Sequence, residues 1–314
     1  MLTREGKKSI IIHSILFVIW LGLLIFASFK DLEFSKAVSN SESFLGALFA
    51  VLAEWPAYLI TPVATIILFY NVDNMTKVRG KNITLKVVFA ILHFGGWFLF
   101  FNGSEKLYEN MPHETLFAVV YALMAGIACL YFAKFVDRDF MRKLCKWAVF
   151  ALIVLVVSRV VVTGIKLVWS RARFRDMLAH NNAFEMFTPW YHPNGFRKVD
   201  GYKLTSFPSG HVTSATNLFV IVVLADVLPS LKKAKTGMYI FCGLFVAFTM
   251  FYRIVFNAHF LSDTLIALLI SYLTFYLTKL FFFKKGYEYF KKDEAVTQGE
   301  DAVEDNEVAS AESV

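Results

Sequence analysis

The sequence predicts an all-α, polytopic membrane bundle of about eight spans with a six-helix core and both termini in the cytoplasm. Three observations predict it. Of the 314 residues, 57% are hydrophobic and 34 are phenylalanine, with a mean hydropathy of +0.54, too apolar for a soluble domain of this length. Several apolar runs approach or exceed the roughly 20 residues that cross a bilayer. The basic residues behind the net charge of +7 gather in short loops, which points to membrane orientation rather than to nucleic acid.

The apolar runs lie at about 9–29, 46–71, 84–102, 115–135, 146–169, 209–228, 236–255 and 260–283. The first follows Arg4, Lys7 and Lys8 and has no small-x-small cleavage site before a soluble domain, so it reads as a retained helix. The second is longer than a span needs and contains Glu54, Pro56 and Pro62, which predicts a kink or an interfacial piece leading into the span. Five basic segments then fall on one side: the N-terminus, Lys77 to Lys81, Arg138 to Lys146, Lys232 to Lys235, and Lys284 to Lys292. The positive-inside rule makes that side cytoplasmic. The chain divides into N-terminal membrane helices (1–135), a core (136–285) with a long outer loop at 170–208, and an acidic tail (286–314) whose composition predicts disorder. Cys129, Cys145 and Cys242 have no metal-ligand spacing and read as buried thiols.

Three clusters carry chemistry. Lys166 and Arg173 stand seven apart at the end of the fifth span, two turns along one face if the helix continues. Taken alone, such charges snorkel to the interface. Pro208-Ser209-Gly210-His211 opens the sixth span, where unpaired N–H groups suit an anion and His211 can move a proton. Arg253, His259 and Asp263 lie between the last two spans. His259 and Asp263 are i, i+4, so the carboxylate can fix the tautomer of the ring. On the loop-charge topology all of them fall near the outer face, and ionisable groups in membrane segments read as functional. Two histidines, three cations, a helix start and a carboxylate make a site for a phosphate. Arg159 reads as the partner of Glu54 or Asn217, and His93 as a satisfied intramembrane histidine. Gly95-Gly96 and Ala125-Gly126 read as close-packing positions.

Lys166-x6-Arg173, Pro208-Ser209-Gly210-His211 and Arg253-x5-His259-x3-Asp263 resemble the three-part signature of the type-2 phosphatidic acid phosphatase family, over roughly residues 145–283. That family shares its phosphate pocket with vanadium haloperoxidases and glucose-6-phosphatase. Two positions depart from its pattern: Phe174 stands where the family has proline, and Tyr252 where it has serine. The resemblance implies that His259 attacks phosphorus, oriented by Asp263, and that His211 protonates the leaving oxygen and later activates water. It implies that Lys166, Arg173, Arg253, Ser209 and Gly210 hold the phosphate oxygens. The expected activity is metal-independent hydrolysis of a lipid phosphomonoester or diphosphate on the extracytoplasmic face of a plasma or bacterial inner membrane. No cofactor and no nucleic acid partner are expected. A lipid phosphotransferase, a phosphatase for a soluble sugar phosphate and a non-catalytic lipid transporter are the alternatives.

Overall fold

The computed structural model describes residues 4–76, 78–104 and 114–285. Its helices are α1 (Arg4–Val38), α2 (Phe44–Leu52), α3 (Trp55–Met75), α4 (Arg79–Ser104), α5 (Glu114–Ala133), α6 (Arg138–Trp169), α7 (Phe174–Ala179), α8 (Gly210–Thr216), α9 (Leu224–Val227), α10 (Lys235–Val255) and α11 (Leu261–Leu280). A 3-10 segment, Asn217–Val223, joins α8 to α9 within one span. No strand occurs among the described residues. Among the described residues eight helical segments are long and apolar enough to cross a membrane, matching the eight apolar runs. The acidic tail and the loop at 105–113 lie outside the described residues.

Several helices extend past their apolar runs, the first among them. The first helix runs past residue 29 to Val38, because Asp31 to Ala37 contain no helix breaker and Asp31 finds buried partners. The second run is broken, as its prolines predict: α2 stops at Leu52 and α3 starts at Trp55 with Pro56 in its first turn, leaving Glu54 at the break. Pro62 sits inside α3, and its carbonyl lies 2.9 Å from Nδ1 of His93, while Nε2 of that ring lies 3.3 Å from the Gly126 carbonyl. His93 thus has a carbonyl at each ring nitrogen, and a neutral ring donates to one of them. A Cβ on Gly96 would lie 2.6 Å from Pro62 and one on Gly126 2.3 Å from Phe94, so these two are close-packing positions. Gly95 has open space and is not.

The second and sixth spans are the most buried. The sixth packs against α3, α6, α10 and α11. Its residues are small: Gly210, Thr213, Ser214, Ala215 and Thr216 are all buried, and Thr213 and Thr216 return their hydroxyls to the carbonyls of Ser209 and Val212. The C-terminal ends of α6 and α10 and the N-terminal ends of α8 and α11 meet there, opposite the basic loops that begin α6 and α10.

One buried ionic cluster ties α1 to this end. Arg171, fully buried in the turn after α6, bonds Asp31 at 3.0 Å and Asp263 at 2.6 Å. Its Nη1 also donates to Ser262 Oγ at 2.8 Å, and its Nε to the Thr188 carbonyl at 2.8 Å. The guanidinium lies over Phe260 at 4.3 Å and Phe187 at 5.1 Å. Asp31 in turn accepts from the Ser262 N–H at 3.1 Å and from its hydroxyl at 2.5 Å. Removing one partner of a buried ion pair strands the other, at about 3–5 kcal/mol. Arg171→Met is therefore expected to destabilise the fold by about 3–5 kcal/mol. Asp31→Asn is expected to cost less, since Arg171 keeps Asp263. Thermal unfolding of both variants in detergent micelles checks the order.

Candidate active site

The structure brings the three sequence clusters together, though not by the local geometry expected of two of them. The α6 helix does not continue to Arg173. It ends at Trp169, with Ser170 in the left-handed region at φ 39°, ψ 48°, and Arg173 is the N-cap of α7. Lys166 and Arg173 nevertheless converge, because both reach Thr205: Lys166 Nζ donates to its carbonyl at 2.8 Å and Arg173 Nη2 to its hydroxyl at 3.1 Å. Lys166 also donates to the Pro208 carbonyl. Two of the three ammonium hydrogens therefore hold the loop that carries Ser209 and His211.

His259 and Asp263 do not share a helical face either. The chain leaves α10 at Val255, and Asn257 takes a left-handed turn at φ 56°, a conformation asparagine tolerates. The N–H groups of Ala258 and His259 then fold back onto the Arg253 carbonyl at 3.1 and 3.2 Å. This turn sets His259 beside Arg253 before α11 begins. Asp263 stands in the first turn of α11 and accepts from the Phe260 N–H at 2.9 Å.

The orienting group of His259 is also not quite the one expected. Nδ1 lies 2.8 Å from the Ser206 carbonyl and 3.6 Å from Asp263 Oδ2. A carbonyl can only accept, so Nδ1 carries the hydrogen and Nε2 the lone pair. Asp263 acts through Ser206, whose hydroxyl donates to Oδ2 at 2.6 Å, and through its charge. Oδ1 accepts from Arg171. Ser209 is buried; its N–H donates to the Asp263 carbonyl at 3.0 Å and its hydroxyl caps α8 by accepting from the Val212 N–H at 3.4 Å. Gly210 follows with Lys166 and Arg159 at its Cα face, where an added Cβ would lie 3.9 and 3.4 Å from their side chains.

Around this frame several buried polar atoms have no hydrogen-bond partner among the described residues: His259 Nε2, Arg253 Nε and Nη1, and Arg173 Nε. Arg253 is 2% exposed and His259 1%. Arg173 and Arg175 lie within electrostatic reach of Arg253, so the site holds like charges that repel one another. Buried donors without acceptors and clustered cations are costly in a protein interior. An anion removes both costs. The His211 ring stands 6.1 Å from that of His259, centroid to centroid, and its Nε2 is 3.7 Å from Glu54 Oε1.

His259 lies in the turn between the last two spans. Burial, with Arg173 and Lys166 adding to it, pushes its imidazole down from 6.5 to about 3, against the opposing pull of Asp263. The ring is therefore neutral at physiological pH, with Nε2 available as a base or nucleophile.

Residues 147–287 match the family model of the PAP2 superfamily. This region belongs to that superfamily. No curated protein and no solved structure matches the chain. The PAP2 region spans most of α6 to the end of α11 and so includes Lys166, Arg173, His211, Arg253, His259 and Asp263. Asp31 and Glu54 lie outside it. At the two departures from the family pattern, Phe174 is 1% exposed and packs edge-on against Phe260, centroids 5.8 Å apart, anchoring the Arg173 turn beside His259. The Tyr252 ring stacks on Phe49 of α2 at 5.2 Å.

The sequence pointed to Lys166, Arg173, Ser209, Gly210, His211, Arg253, His259 and Asp263 but not to Arg171, Asp31 and Ser206. Arg171 lies two residues before Arg173 and Ser206 within the Thr205-to-His211 stretch, so the signal was proximity to a motif. Asp31 carried a weaker one, a carboxylate just beyond the apolar stretch of the first run. Arg159 pairs with Glu54 at 3.3 Å, the partner expected for it. His180 is structural: its ring stacks on Tyr202 at 4.4 Å.

Because the unfolded His259 takes up a proton near pH 6.5 and the folded one only near about 3, the unfolded state binds more protons between those values. Stability is expected to fall as the pH drops through that window, and His259→Gln to lose that part of the acid sensitivity. Nitrogen NMR of labelled histidines is expected to show His259 as the uncharged Nδ1–H tautomer at neutral pH.

Proposed function

We propose that this protein is an integral membrane phosphatase that hydrolyses a phosphorylated lipid through a phosphohistidine on His259. The observation that carries the reading is the buried, unpartnered Nε2 of His259 beside the unpartnered donors of Arg253 and Arg173. Membership of the PAP2 superfamily supports a phosphoric ester hydrolase, and the eight apolar helices support its place in a membrane.

In the first step Nε2 of His259 attacks phosphorus as the bond to the ester oxygen breaks, and His211 gives its proton to that oxygen. Arg253, Arg173 and the remaining hydrogen of Lys166 face the non-bridging oxygens, where negative charge is held through the transition state. The Ser206 carbonyl accepts from Nδ1–H, and the Asp263 charge stabilises the phosphorylated, cationic ring. In the second step His211 takes a proton from water as the water oxygen attacks phosphorus. The P–N bond breaks, inorganic phosphate leaves, and both histidines return to their starting states. The cations supply the charge stabilisation that phosphoryl transfer needs, so the reaction is proposed to run without a metal.

Two features support a lipid substrate on the extracytoplasmic face. A cavity of about 390 Å³ between α2, α3, α6, the sixth span and α10 is lined by apolar side chains, among them Leu52, Trp55, Ile60, Trp147, Leu218 and Phe245. Its lining starts at Leu52 and Trp55, which flank Glu54 in sequence, and runs toward Trp147 and Phe241 near the starts of α6 and α10. The site also lies at the ends of α6 and α10 opposite their basic loops, and the positive-inside rule places those loops in the cytoplasm.

Purified protein in mixed micelles is expected to release inorganic phosphate from a long-chain lipid phosphate, with excess chelator making no difference. His259→Ala is expected to lower kcat by at least about a thousandfold. Phosphate release assays on lipid and sugar phosphates check this; a sugar phosphate turned over in preference to the lipid contradicts the substrate class.

A further inference from the structure

We propose that Glu54, which the N-terminal helices supply from outside the PAP2 region, is the positioning residue of His211. This rests on the phosphohistidine reading above. Glu54 sits at the break between α2 and α3, its side chain 14% exposed, and its Oε1 lies 3.7 Å from His211 Nε2. Its other oxygen is fixed. Oε2 accepts from Ser214 Oγ at 2.7 Å and from Arg159 Nη2 at 3.3 Å, and the same Arg159 nitrogen donates to Ser214 Oγ at 2.8 Å. Ser214 stands three residues after His211 on α8, so the carboxylate is bound to the very helix whose ring it faces.

The charges around His211 come from each element packed there: Glu54 at the start of α3, Arg159 and Lys166 on α6, Arg253 at the end of α10 within electrostatic reach of Glu54, and His259 before α11. Tyr58 of α3 also faces Glu54. Arg159 balances the charge of Glu54, so the carboxylate orients and stabilises the His211 imidazolium without adding net negative charge beside the phosphate. A hydrogen-bonded serine and a paired arginine restrict its movement. This is the arrangement by which a carboxylate serves a histidine that must give a proton in one step and take one in the next.

A glutamate here for structure alone and a glutamate that serves His211 predict different kinetics. Loss of His211 function slows esters whose leaving oxygen needs a proton and spares the first step for esters whose leaving group departs as a stable anion. It slows dephosphorylation for both. Glu54→Gln, which preserves size and hydrogen bonding, is to be compared with wild type on a lipid alkyl phosphate and on a nitrophenyl phosphate. Turnover of the alkyl ester is expected to fall by about tenfold to a hundredfold. The nitrophenyl ester is expected to give a burst of about one nitrophenolate per enzyme, with an acid-labile phosphoenzyme accumulating. Glu54→Asp is expected to restore part of the alkyl-ester activity, which guards against a simple folding defect. Equal losses on both esters without a burst, or no loss on either, would overturn the Glu54 assignment alone, provided His259→Ala is inactive. Activity that survives in His259→Ala would overturn the phosphohistidine reading and this inference with it.

Discussion

Arg171 is the interaction on which the rest of the site depends. It is a fully buried cation between two buried carboxylates, and each carboxylate holds a different part of the molecule. Through Asp31 it ties α1 to the start of α11. Through Asp263 it reaches Ser206, and Ser206 reaches Nδ1 of His259. A guanidinium suits this position because its planar fork can donate in several directions at once, as lysine cannot. The aromatic faces of Phe260 and Phe187 complete its surroundings. The nucleophile proposed for this protein is therefore aimed by a chain of contacts that starts two elements away.

The charges at this end of the bundle fall into two groups. Arg171, Asp31, Asp263, Arg159 and Glu54 are all paired within the protein. Arg253 and Arg173 keep donors that no described residue accepts, and His259 keeps a lone pair in the same region. A folded chain leaves such groups unsatisfied where a ligand completes them. The paired group keeps the frame rigid; the unpaired group is what the frame presents to an anion. Lys166 belongs to both, since it holds the Thr205 and Pro208 carbonyls and stands beside Gly210.

Most of this was legible from the chain. Eight apolar runs correspond to eight helices because bilayer thickness fixes their length. The motif residues meet because they follow the fifth and seventh spans and open the sixth and eighth, which puts them at one end of the bundle. What was not legible depended on partners distant in sequence. Helical spacing put Lys166 and Arg173 on one face and His259 and Asp263 on another. Yet left-handed Ser170 ends α6 before Arg173, and α11 begins only at Leu261, after His259, so the pairs meet through Thr205 and Ser206 instead. Asp31 looked like a loop carboxylate because its worth lies in Arg171, 140 residues away. Glu54 was readable as a partner of Arg159 but not of His211, since nothing local relates the α2–α3 break to the start of α8.

The central claim is that the unpartnered donors form one anion site in which His259 Nε2 is the inner ligand. Orthovanadate, a tetrahedral anion that readily takes a fifth ligand, tests it most directly. Titration followed by vanadium NMR is expected to show one bound vanadate per protein. Both His259→Ala and Arg253→Met should weaken that binding by about tenfold or more, a loss of about 1.4 kcal/mol at least. Vanadate that binds both variants as tightly as the wild type would contradict the account.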